Sequence, residues 1–340
     1  MSSRSRTTIA LMLLAGDVGG TKTLMGLFSP ARPRPAVVRT ASFRTLDFPD
    51  LTSLSLEFLR QMDVSAPDLT GACFGVAGPV KDGRATLTNV PWSVDAEAMR
   101  GPLRVKRTDL LNDLEALAWG VPLAEPSEID LLSRGTRDPN GGAALIAAGT
   151  GLGVALLPKV NGRFVPVPSE GGHADFAART EKEDQLRRAL TAAFGRAEIE
   201  QVLSGPGLLN IHRFVHPHTC ADVDQAKDPS EVPALISKAA LEGRCEHCRA
   251  SLEMFVSAYG ACAGNLALTA LATGGLFVGG GIAPKILPAL HWPVFLESFF
   301  AKAPLDAVVR RIPVSVILNP LAGLIGAATF AMVISDDLAI

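Results

Sequence analysis

A glycine-rich turn between two apolar runs occurs twice in the chain and constrains the fold more than any other feature. Residues 13–28 read LLAGDVGGTKTLMGLF, and residues 146–157 read IAAGTGLGVALL. A strand, a turn of this kind and a second strand predict a hairpin whose backbone amides can point at an anion. Single glycine-rich hairpins are common, so the prediction depends on the pair. Two copies roughly 130 residues apart predict two related α/β halves, each with one phosphate loop and with a ligand between them.

Apolar strand-like runs alternate with longer helical patterns along the 340 residues, which predicts an α/β fold of two domains. The predicted strands are Leu11–Ala15, Thr23–Phe28, Gly71–Val76, Ala143–Ala148, Val154–Leu157, Leu276–Val278 and Val314–Leu318. The predicted helices are Leu51–Gln61, Asp113–Gly120, Glu181–Phe194, Pro233–Glu242, Cys245–Thr273 and Leu321–Val333. The stretch Cys245–Thr273 is small or apolar on most faces, so a buried helix is expected there.

Composition excludes several classes of protein. A formal net charge of −2 provides no basic field for nucleic acid or anionic lipid. The five scattered cysteines favour a reducing cytoplasm over a secreted disulfide framework. The short apolar run near the N-terminus leads directly into GDVGGTK and is interpreted as a first strand, and no run is long enough for a membrane span.

The first turn carries residues suited to a nucleotide phosphate. Gly19 and Gly20 allow phosphate oxygens to approach the backbone, Thr21 supplies a hydroxyl, and Lys22 offers a compact positive charge. Asp17 at the strand end is predicted to hold Mg²⁺ through water, because Mg²⁺ gives up its waters reluctantly. The spacing matches neither the Walker A motif nor Gly-x-Gly-x-x-Gly.

Two further glycine clusters complete the predicted nucleotide site. The second turn, Gly149-Thr150-Gly151-Leu152-Gly153, is followed by a strand-like run rather than a helix, which disfavours a dinucleotide fingerprint. The third, Gly279-Gly280-Gly281-Ile282, precedes a predicted helix near Pro284–Leu290 and suits the sugar or base of a nucleotide. Tight helix–sheet packing would explain this third cluster equally well.

Asp113 is the candidate general base, since a carboxylate at a strand–helix junction can accept a proton from an attacking hydroxyl. A simple helix cap is the equal alternative for this residue. The neighbouring Asn112 can donate and accept, as a vicinal diol requires. Glu170 and His173 flank two glycines that disfavour a helical metal pair and favour recognition of a small polar ligand. Glu200 is a further hydroxyl acceptor or a solvated charge.

The cysteines leave a metal alternative open. Cys245 and Cys248 could form a zinc site with His216, His218 or Cys220, although the spacing is irregular for a zinc module. A redox Cys-x-x-Cys is less favoured, because no βαβ unit surrounds it.

The motif order DVGGTK, TNVPW, LLND, AAGTGLG, PSEGGHADF, VLSGPG, GNLAL, GGLFVGGGI and NPLAGLIG resembles the bacterial glucokinase family, within the hexokinase–actin–chaperone ATPase superfamily. The match covers nearly the whole chain, from about Leu13 to about Ala328. PSEGGHADF, LLND and VLSGPG together are specific to the family. Lys22, where many members carry Asn, and the altered NPLAGLIG motif are departures.

The resemblance implies roles for individual residues. Asp113 would be the general base toward the 6-hydroxyl of the sugar. The other sugar hydroxyls would be bound by Asn89, Asn112, Glu170, His173 and Glu200. ATP would be held at Asp17, Gly19, Gly20, Thr21, Lys22, Gly149, Thr150, Gly151, Gly153, Gly280 and Gly281. The family's Cys-x-x-Cys in the same helix is not a zinc site.

The sequence is therefore interpreted as an ATP- and Mg²⁺-dependent glucokinase, a cytoplasmic homodimer that binds neither nucleic acid nor membrane. The expected fold is two actin-like, ribonuclease H-like α/β domains with a central cleft, formed by residues 1–122 plus 319–340 and by residues 123–318. A kinase for another hexose or an N-acetylhexosamine is the first alternative. A non-enzymatic ATP-binding switch is the second, and the polar residues of the sugar side disfavour it.

Overall fold

The computed structural model describes residues 11–63, 69–87, 90–216 and 220–335. The chain divides into two compact units. Unit 1 consists of Met1–Ala124 and Asn319–Ile340, and unit 2 of Glu125–Leu318. Among the helices of the described residues, none combines the length and apolar character needed to cross a membrane.

Unit 1 is built on a five-stranded sheet in the order β3-β2-β1-β4-β8. Its strands are β1 (Met12–Val18), β2 (Lys22–Ser29), β3 (Ala36–Arg44), β4 (Leu69–Val76) and β8 (Thr108–Asn112), with a small sheet of β5 (Val80–Lys81), β6 (Arg84–Thr86) and β7 (Ser93–Asp95). The first three strands are antiparallel, whereas β1, β4 and β8 are parallel. The carboxyl ends of the three parallel strands therefore meet at one edge of the sheet.

Helices cover both faces of this sheet. They are α1 (Leu51–Gln61), α2 (Ala96–Leu103), α3 (Asp113–Gly120) and the last helix of the chain, α11 (Ala322–Ser335). One core joins Leu14 and Met25 to Phe58 of α1. The other joins Leu13 and Phe28 to residues of α3 and α11. Alternate residues of β1 thus enter opposite cores, as strand geometry requires.

Unit 2 has a six-stranded sheet in the order β14-β11-β10-β15-β16-β9. The strands of unit 2 are β9 (Ile129–Ser133), β10 (Ala143–Ala148), β11 (Leu152–Leu157), β12 (Lys159–Val160), β13 (Arg163–Phe164), β14 (Val167–Ser169), β15 (Gly275–Gly279) and β16 (Val314–Ile317). Its helices are α4 (Glu181–Phe194), α5 (Gly205–Val215), α6 (Val232–Leu241), α7 (Glu246–Thr269), α8 (Leu287–Leu290), α9 (Pro293–Phe300) and α10 (Asp306–Val309). The parallel strands β10 and β15 bring their two following loops to the same edge.

Both units are mixed α/β structures, which confirms the predicted fold class. Local signals set several helix ends: Asp50 and Thr180 accept hydrogen bonds as N-caps, and Gly195, with φ of 84°, ends α4. The long helix predicted to reach Thr273 is shorter, since Leu271 takes a left-handed conformation with φ of 43°. The helix predicted near Pro284–Leu290 is a 3-10 turn, Ala283–Ile286, followed by the short α8.

Candidate active site

The first glycine-rich turn links β1 and β2, as the sequence predicted. Gly19 N–H donates to the Lys22 carbonyl oxygen at 3.1 Å, and a Cβ on Gly19 would lie only 2.8 Å from that oxygen. Glycine is therefore required for this close turn. Thr21 and Lys22 are exposed at the tip, where their side chains are available to a ligand.

Thr45, which the sequence analysis missed, braces this turn from a neighbouring segment. Its hydroxyl donates to the Gly19 carbonyl oxygen at 2.8 Å, and its N–H donates to the Thr21 carbonyl oxygen at 3.1 Å. The buried Thr23 hydroxyl lies 2.9 Å from the Thr45 hydroxyl and must be the donor, because Thr45 has already given its only hydroxyl proton. The backbone of the turn is thus held before any ligand arrives.

Asp17 and Asp113 lie at the carboxyl edge of the parallel strands, on either side of β4. Asp17 pairs in register with Gly75, and Asn112, just before Asp113, pairs with Val76. A Cβ placed on Gly75 would lie 3.8 Å from both the Asp113 Cα and the Gly16 carbonyl oxygen. The close contact of such a Cβ would be with the Ala116 Cβ at 2.8 Å, so glycine at 75 permits the packing of α3 on β4.

The pKa values of both carboxylates are raised. Burial, and secondarily the charge of Asp113, raise the pKa of Asp17 to about 6. Burial also raises the pKa of Asp113, although this side chain is open to solvent on one side, and hydrogen bonds from Leu114 and Asn112 oppose the rise. Asp17 is the more enclosed of the two side chains, so burial opposes the ionisation of its carboxylate more strongly.

Asn112, rather than Asp113, is the N-cap of α3. Its Oδ1 accepts from Leu114 N–H at 3.0 Å, and its Nδ2 donates to the Gly78 carbonyl oxygen at 3.0 Å. Asp113 is the first residue of the helix, and its Oδ1 also accepts from Leu114 N–H at 2.8 Å. The alternative in which Asp113 serves only as the cap is therefore not what the structure shows. Nδ2 also donates to the Asp113 carboxylate, so one lone pair of Oδ1 remains for a ligand.

The second glycine-rich turn links β10 and β11 in unit 2. Gly149 N–H donates to the Gly151 carbonyl oxygen at 2.8 Å, which closes the turn. Gly205 N–H, at the start of α5, donates to the Gly149 carbonyl oxygen at 2.8 Å. The positive end of the α5 dipole is thereby directed at the turn, as an anion-binding loop requires.

Glu200 lies against this second turn. Its Oε2 accepts from Leu152 N–H at 2.7 Å, and a Cβ on Gly151 would lie 2.6 Å from the same oxygen. A side chain at 151 would therefore force the Glu200 carboxylate to move. Glu200, predicted to bind a sugar hydroxyl, thus uses one oxygen to hold the second glycine-rich turn.

His173 lies beside Glu200 in a small polar cluster. Ligand atoms of His173, Glu198 and Glu200 are all within 4.8 Å of one another. The His173 Nδ1 is 3.3 Å from a Glu198 oxygen, whereas the nearest Glu170 oxygen is 3.9 Å from its Nε2. Glu198, which precedes the 3-10 turn Ile199–Gln201 that carries Glu200, was missed from the sequence.

Glu170 projects into solvent with 94% of its side chain exposed, and Gly171–His173 form a single 3-10 turn rather than an α-helix. As expected, the two glycines thus keep Glu170 and His173 from sharing one face of an α-helix, the arrangement that a metal-binding pair would need. Arg196 contacts the His173 carbonyl oxygen and ends 3.5 Å from Glu198, which keeps the carboxylates of this cluster partly neutralised.

The third glycine cluster meets the second at the edge of the unit 2 sheet. Gly280 has φ of 82°, and a Cβ there would overlap the Ala148 carbonyl. Ile282 N–H donates to the Ala148 carbonyl oxygen at 3.1 Å. The hydroxyl of the buried Tyr259 accepts from Ala148 N–H at 3.2 Å and donates to the Gly279 carbonyl oxygen at 3.5 Å. Tyr259, also missed from the sequence, joins the two loops.

The structure thus groups the candidate residues in two sets. Unit 1 carries the first turn, Asp17, Asn112 and Asp113. Unit 2 carries the second and third turns with His173 and Glu200. Asn89 lies outside the described residues, and its assignment stays a prediction.

Known proteins are similar to this chain over most of its length. The family model Glucokinase matches residues 14–334. A glucokinase of Nostoc punctiforme is 38% identical over 94% of this chain and 98% of its own. The crystal structure of a glucokinase from an Antarctic psychrotroph has a TM-score of 0.84 at 29% identity, over 94% of this chain and 98% of that one.

A more distant structure shares the fold alone. It is a ROK family glucokinase from Streptomyces griseus in complex with glucose and AMPPNP, with a TM-score of 0.61 at 20% identity over 94% of this chain and 99% of that one.

Proposed function

The chain belongs to the glucokinase family, and we propose that it transfers the γ-phosphoryl group of ATP to the 6-hydroxyl of glucose. The observation that carries the proposal is the Asp17–Asp113 pair at the carboxyl edge of parallel strands, beside a braced glycine-rich turn. Asp113 can accept a proton there, while Asp17 lies beside the first glycine-rich turn, which would bind phosphate. The AMPPNP and glucose of the Streptomyces relative support ATP as donor and glucose as acceptor.

Asp113 is the general base of the proposed reaction. Burial raises its pKa, which makes it a stronger proton acceptor than an ordinary carboxylate. The base orients the 6-hydroxyl and removes its proton as the oxygen attacks phosphorus. Lys22 at the tip of the first turn and the backbone amides of that turn neutralise charge on the phosphate oxygens.

The Asp17 carboxylate suits Mg²⁺, a cation that prefers oxygen ligands and retains water. The structure supports this fit, because Asp17 is a largely enclosed carboxylate whose pKa is raised to about 6 in the absence of a cation. Bound there with ATP, Mg²⁺ would supply positive charge for the transferred phosphoryl group. Asp17 would then hold that charge on the side of the site away from the base.

The polar groups of the sugar side would select the substrate. Asn112 keeps one acceptor lone pair on Oδ1, and in unit 2 the ligand atoms of His173 and Glu200 lie within 4.8 Å of each other. Sites that pair buried polar groups with substrate hydroxyls reject sugars that lack one of them far better than apolar contacts do. Glu200 would couple the sugar side to the phosphate loop through Leu152.

The first experiment measures ADP release from Mg-ATP with glucose, mannose, fructose, N-acetylglucosamine and no sugar. Turnover with glucose above all others supports the proposal. Equal turnover with another sugar would reassign the substrate, and hydrolysis that is indifferent to sugar would indicate an ATP-binding switch.

The Asp113→Asn variant tests the role of the base. We expect kcat to fall by about 10²–10⁴-fold, since the amide cannot accept the proton, while glucose binding measured by calorimetry stays within a few-fold of wild type. Asp109→Asn on the same strand is the matched control and should retain activity. An equal loss of glucose binding and turnover in Asp113→Asn would contradict the general-base role.

Two further proposals concern the whole protein. The described cysteines are all free thiols, which supports a reducing cytoplasm. The homodimer implied by the family resemblance stays a prediction that sedimentation can test.

A further inference from the structure

A cluster of thiols and one imidazole lies in unit 2, apart from the residues assigned to the kinase reaction. Ligand atoms of His212, Cys220 and Cys248 are within 4.8 Å of one another, and all three residues are buried. His212 lies on α5, seven residues and about 10 Å beyond the Gly205 end that holds the phosphate loop. Cys220 comes from the segment after α5, and Cys248 from the first turn of α7.

The spacing of the sulfur atoms fits a shared metal better than a disulfide. The Cys220 and Cys248 Sγ atoms are 3.7 Å apart. A disulfide would bring them to about 2.05 Å. Two thiolates each about 2.3 Å from a tetrahedral zinc ion lie about 3.8 Å apart, so the observed separation is close to one edge of that tetrahedron.

Cys245 supplies a third sulfur. It is the N-cap of α7, where its Sγ accepts from Cys248 N–H at 3.4 Å. Its thiol also interacts with the thiols of Cys220 and Cys248. The N-terminal end of a helix stabilises a thiolate through its dipole and free N–H groups. Cys245 is only partly buried, so it offers an entry path for an ion.

Hydrogen bonds set the tautomer of His212 that a metal requires. The Ser251 hydroxyl donates its only proton to the His247 carbonyl oxygen at 2.7 Å. The same hydroxyl lies 3.1 Å from His212 Nδ1 and must therefore accept there. Nδ1 then carries the ring proton, and Nε2 carries the lone pair. A histidine ligand held by such an outer hydrogen bond is typical of protein zinc sites.

We propose that Cys220, Cys245, Cys248 and His212 form a structural zinc site that ties the segment carrying Cys220 to α5 and α7. Three sulfurs and one nitrogen fill a tetrahedron, which leaves no position for substrate, so the role is structural rather than catalytic. The site stands independently of the proposed kinase activity.

This proposal changes the sequence-based interpretation of the cysteines. The family resemblance implied that Cys245 and Cys248 are not a zinc site, and two ligands alone would not complete one. The structure adds Cys220 and His212, and the imidazole comes from α5. Among the loop histidines considered before, His216 stacks on His247 with ring centroids 4.1 Å apart, and His218 lies outside the described residues.

The experiment measures metal content in the full-length protein, purified without chelator and dialysed against metal-free buffer. We expect about one zinc ion per chain, lost in Cys220→Ser and Cys248→Ser, because each removes one thiolate of a four-ligand site. Cys262→Ser is the matched control, since Cys262 also lies on α7 but outside the cluster, and it should retain the zinc.

Cobalt provides a readout that does not depend on any variant folding. The wild-type protein reconstituted with Co²⁺ should show thiolate-to-cobalt charge-transfer bands and the intense visible bands of tetrahedral cobalt. Zinc-free protein without these bands would overturn the proposal. A Cys220–Cys248 disulfide, found by mass spectrometry of the unreduced protein, would also overturn it in favour of a redox pair.

Discussion

Asp17 lies in a position where chemistry and stability oppose each other. The residue is largely enclosed at the end of β1, faces the charge of Asp113, and lies 3.4 Å from where a Cβ on Gly323 of α11 would stand. A carboxylate in such a place resists ionisation, and its pKa rises from 3.8 to about 6. The proposed cation site would accept this cost in the unliganded protein.

The Asp17→Asn variant should therefore be more stable and inactive. Between pH 3.8 and about 6 the folded protein binds more protons at Asp17 than the unfolded chain does. Asp17 therefore makes its full contribution to the free energy of unfolding below pH 3.8. This contribution is lost as the pH rises to about 6. At pH 7 we expect Asp17→Asn to raise the free energy of unfolding by roughly 1–3 kcal/mol in the absence of ATP and Mg²⁺.

Urea unfolding at pH 4 and pH 7 checks this expectation, because the difference between variant and wild type should disappear at the lower pH. Asp82→Asn, in the turn between β5 and β6, is the control and should change little. Equal stabilisation at both pH values would show that ionisation of Asp17 is not the cause.

At the scale of elements, the first phosphate loop depends on a contact between segments far apart in sequence. Thr45 follows β3 and holds Gly19 through its hydroxyl and Thr21 through its N–H. The turn between β1 and β2 is therefore held by the segment that follows β3. These contacts set the conformation of the turn before ATP binds.

Replacing Thr45 with Val should loosen this loop. The substitution leaves the Gly19 carbonyl and the Thr23 hydroxyl without a buried partner, which costs about 1–3 kcal/mol of stability. We also expect KM for ATP to rise and kcat to fall, whereas Thr45→Ser, which keeps the hydroxyl, should restore both. A Thr45→Val protein with a lower melting temperature but unchanged ATP kinetics would limit Thr45 to a structural role.

The packing of α11 on α3 shows a second dependence between distant elements. A Cβ on Gly326 would overlap the Ala116 carbonyl, and one on Gly120 would overlap the Ala322 carbonyl. The two helices approach backbone to backbone at these glycines. Gly326, the last residue of the NPLAGLIG motif, thus permits the close packing of α11 on α3.

At the scale of the whole molecule, unit 1 is completed by the C-terminal residues. The helix α11 buries Leu13, Phe28 and Leu111 together with Leu324 and Ala328. Without this helix, one face of the unit 1 sheet would be exposed to water. Unit 2 is continuous in sequence and keeps its own core.

A chain that ends at Leu318 should accordingly lose unit 1. We expect no kinase activity and rapid proteolysis within residues 1–124, while fragments of residues 125–318 persist, since burial of the apolar face stabilises unit 1. A chain that ends at Ser335 keeps the whole of α11 and is the control. Uniform degradation of the shorter chain would show that the two units do not fold independently.

The sequence by itself determined the elements whose signals are local. The bounds of α1, α3 and α4 agree with those predicted, because caps and apolar periodicity lie within each segment. Both glycine-rich hairpins follow from strand–turn–strand patterning, and Asp113 follows from its place after an apolar strand. Such features need no knowledge of distant parts of the chain. They were sufficient to predict the fold class, whereas the family followed from the resemblance of the motifs and their order.

Only the tertiary structure decided which distant residues meet. Thr45 at Gly19, Glu200 at Leu152, Tyr259 between two loops and His212 beside Cys248 are each a hydrogen bond or ligand contact across many residues. The sequence around a threonine or a glutamate does not indicate a partner that is distant along the chain. Strand order and helix packing set these pairings, because they alone determine which backbone and side-chain groups must satisfy each other away from water.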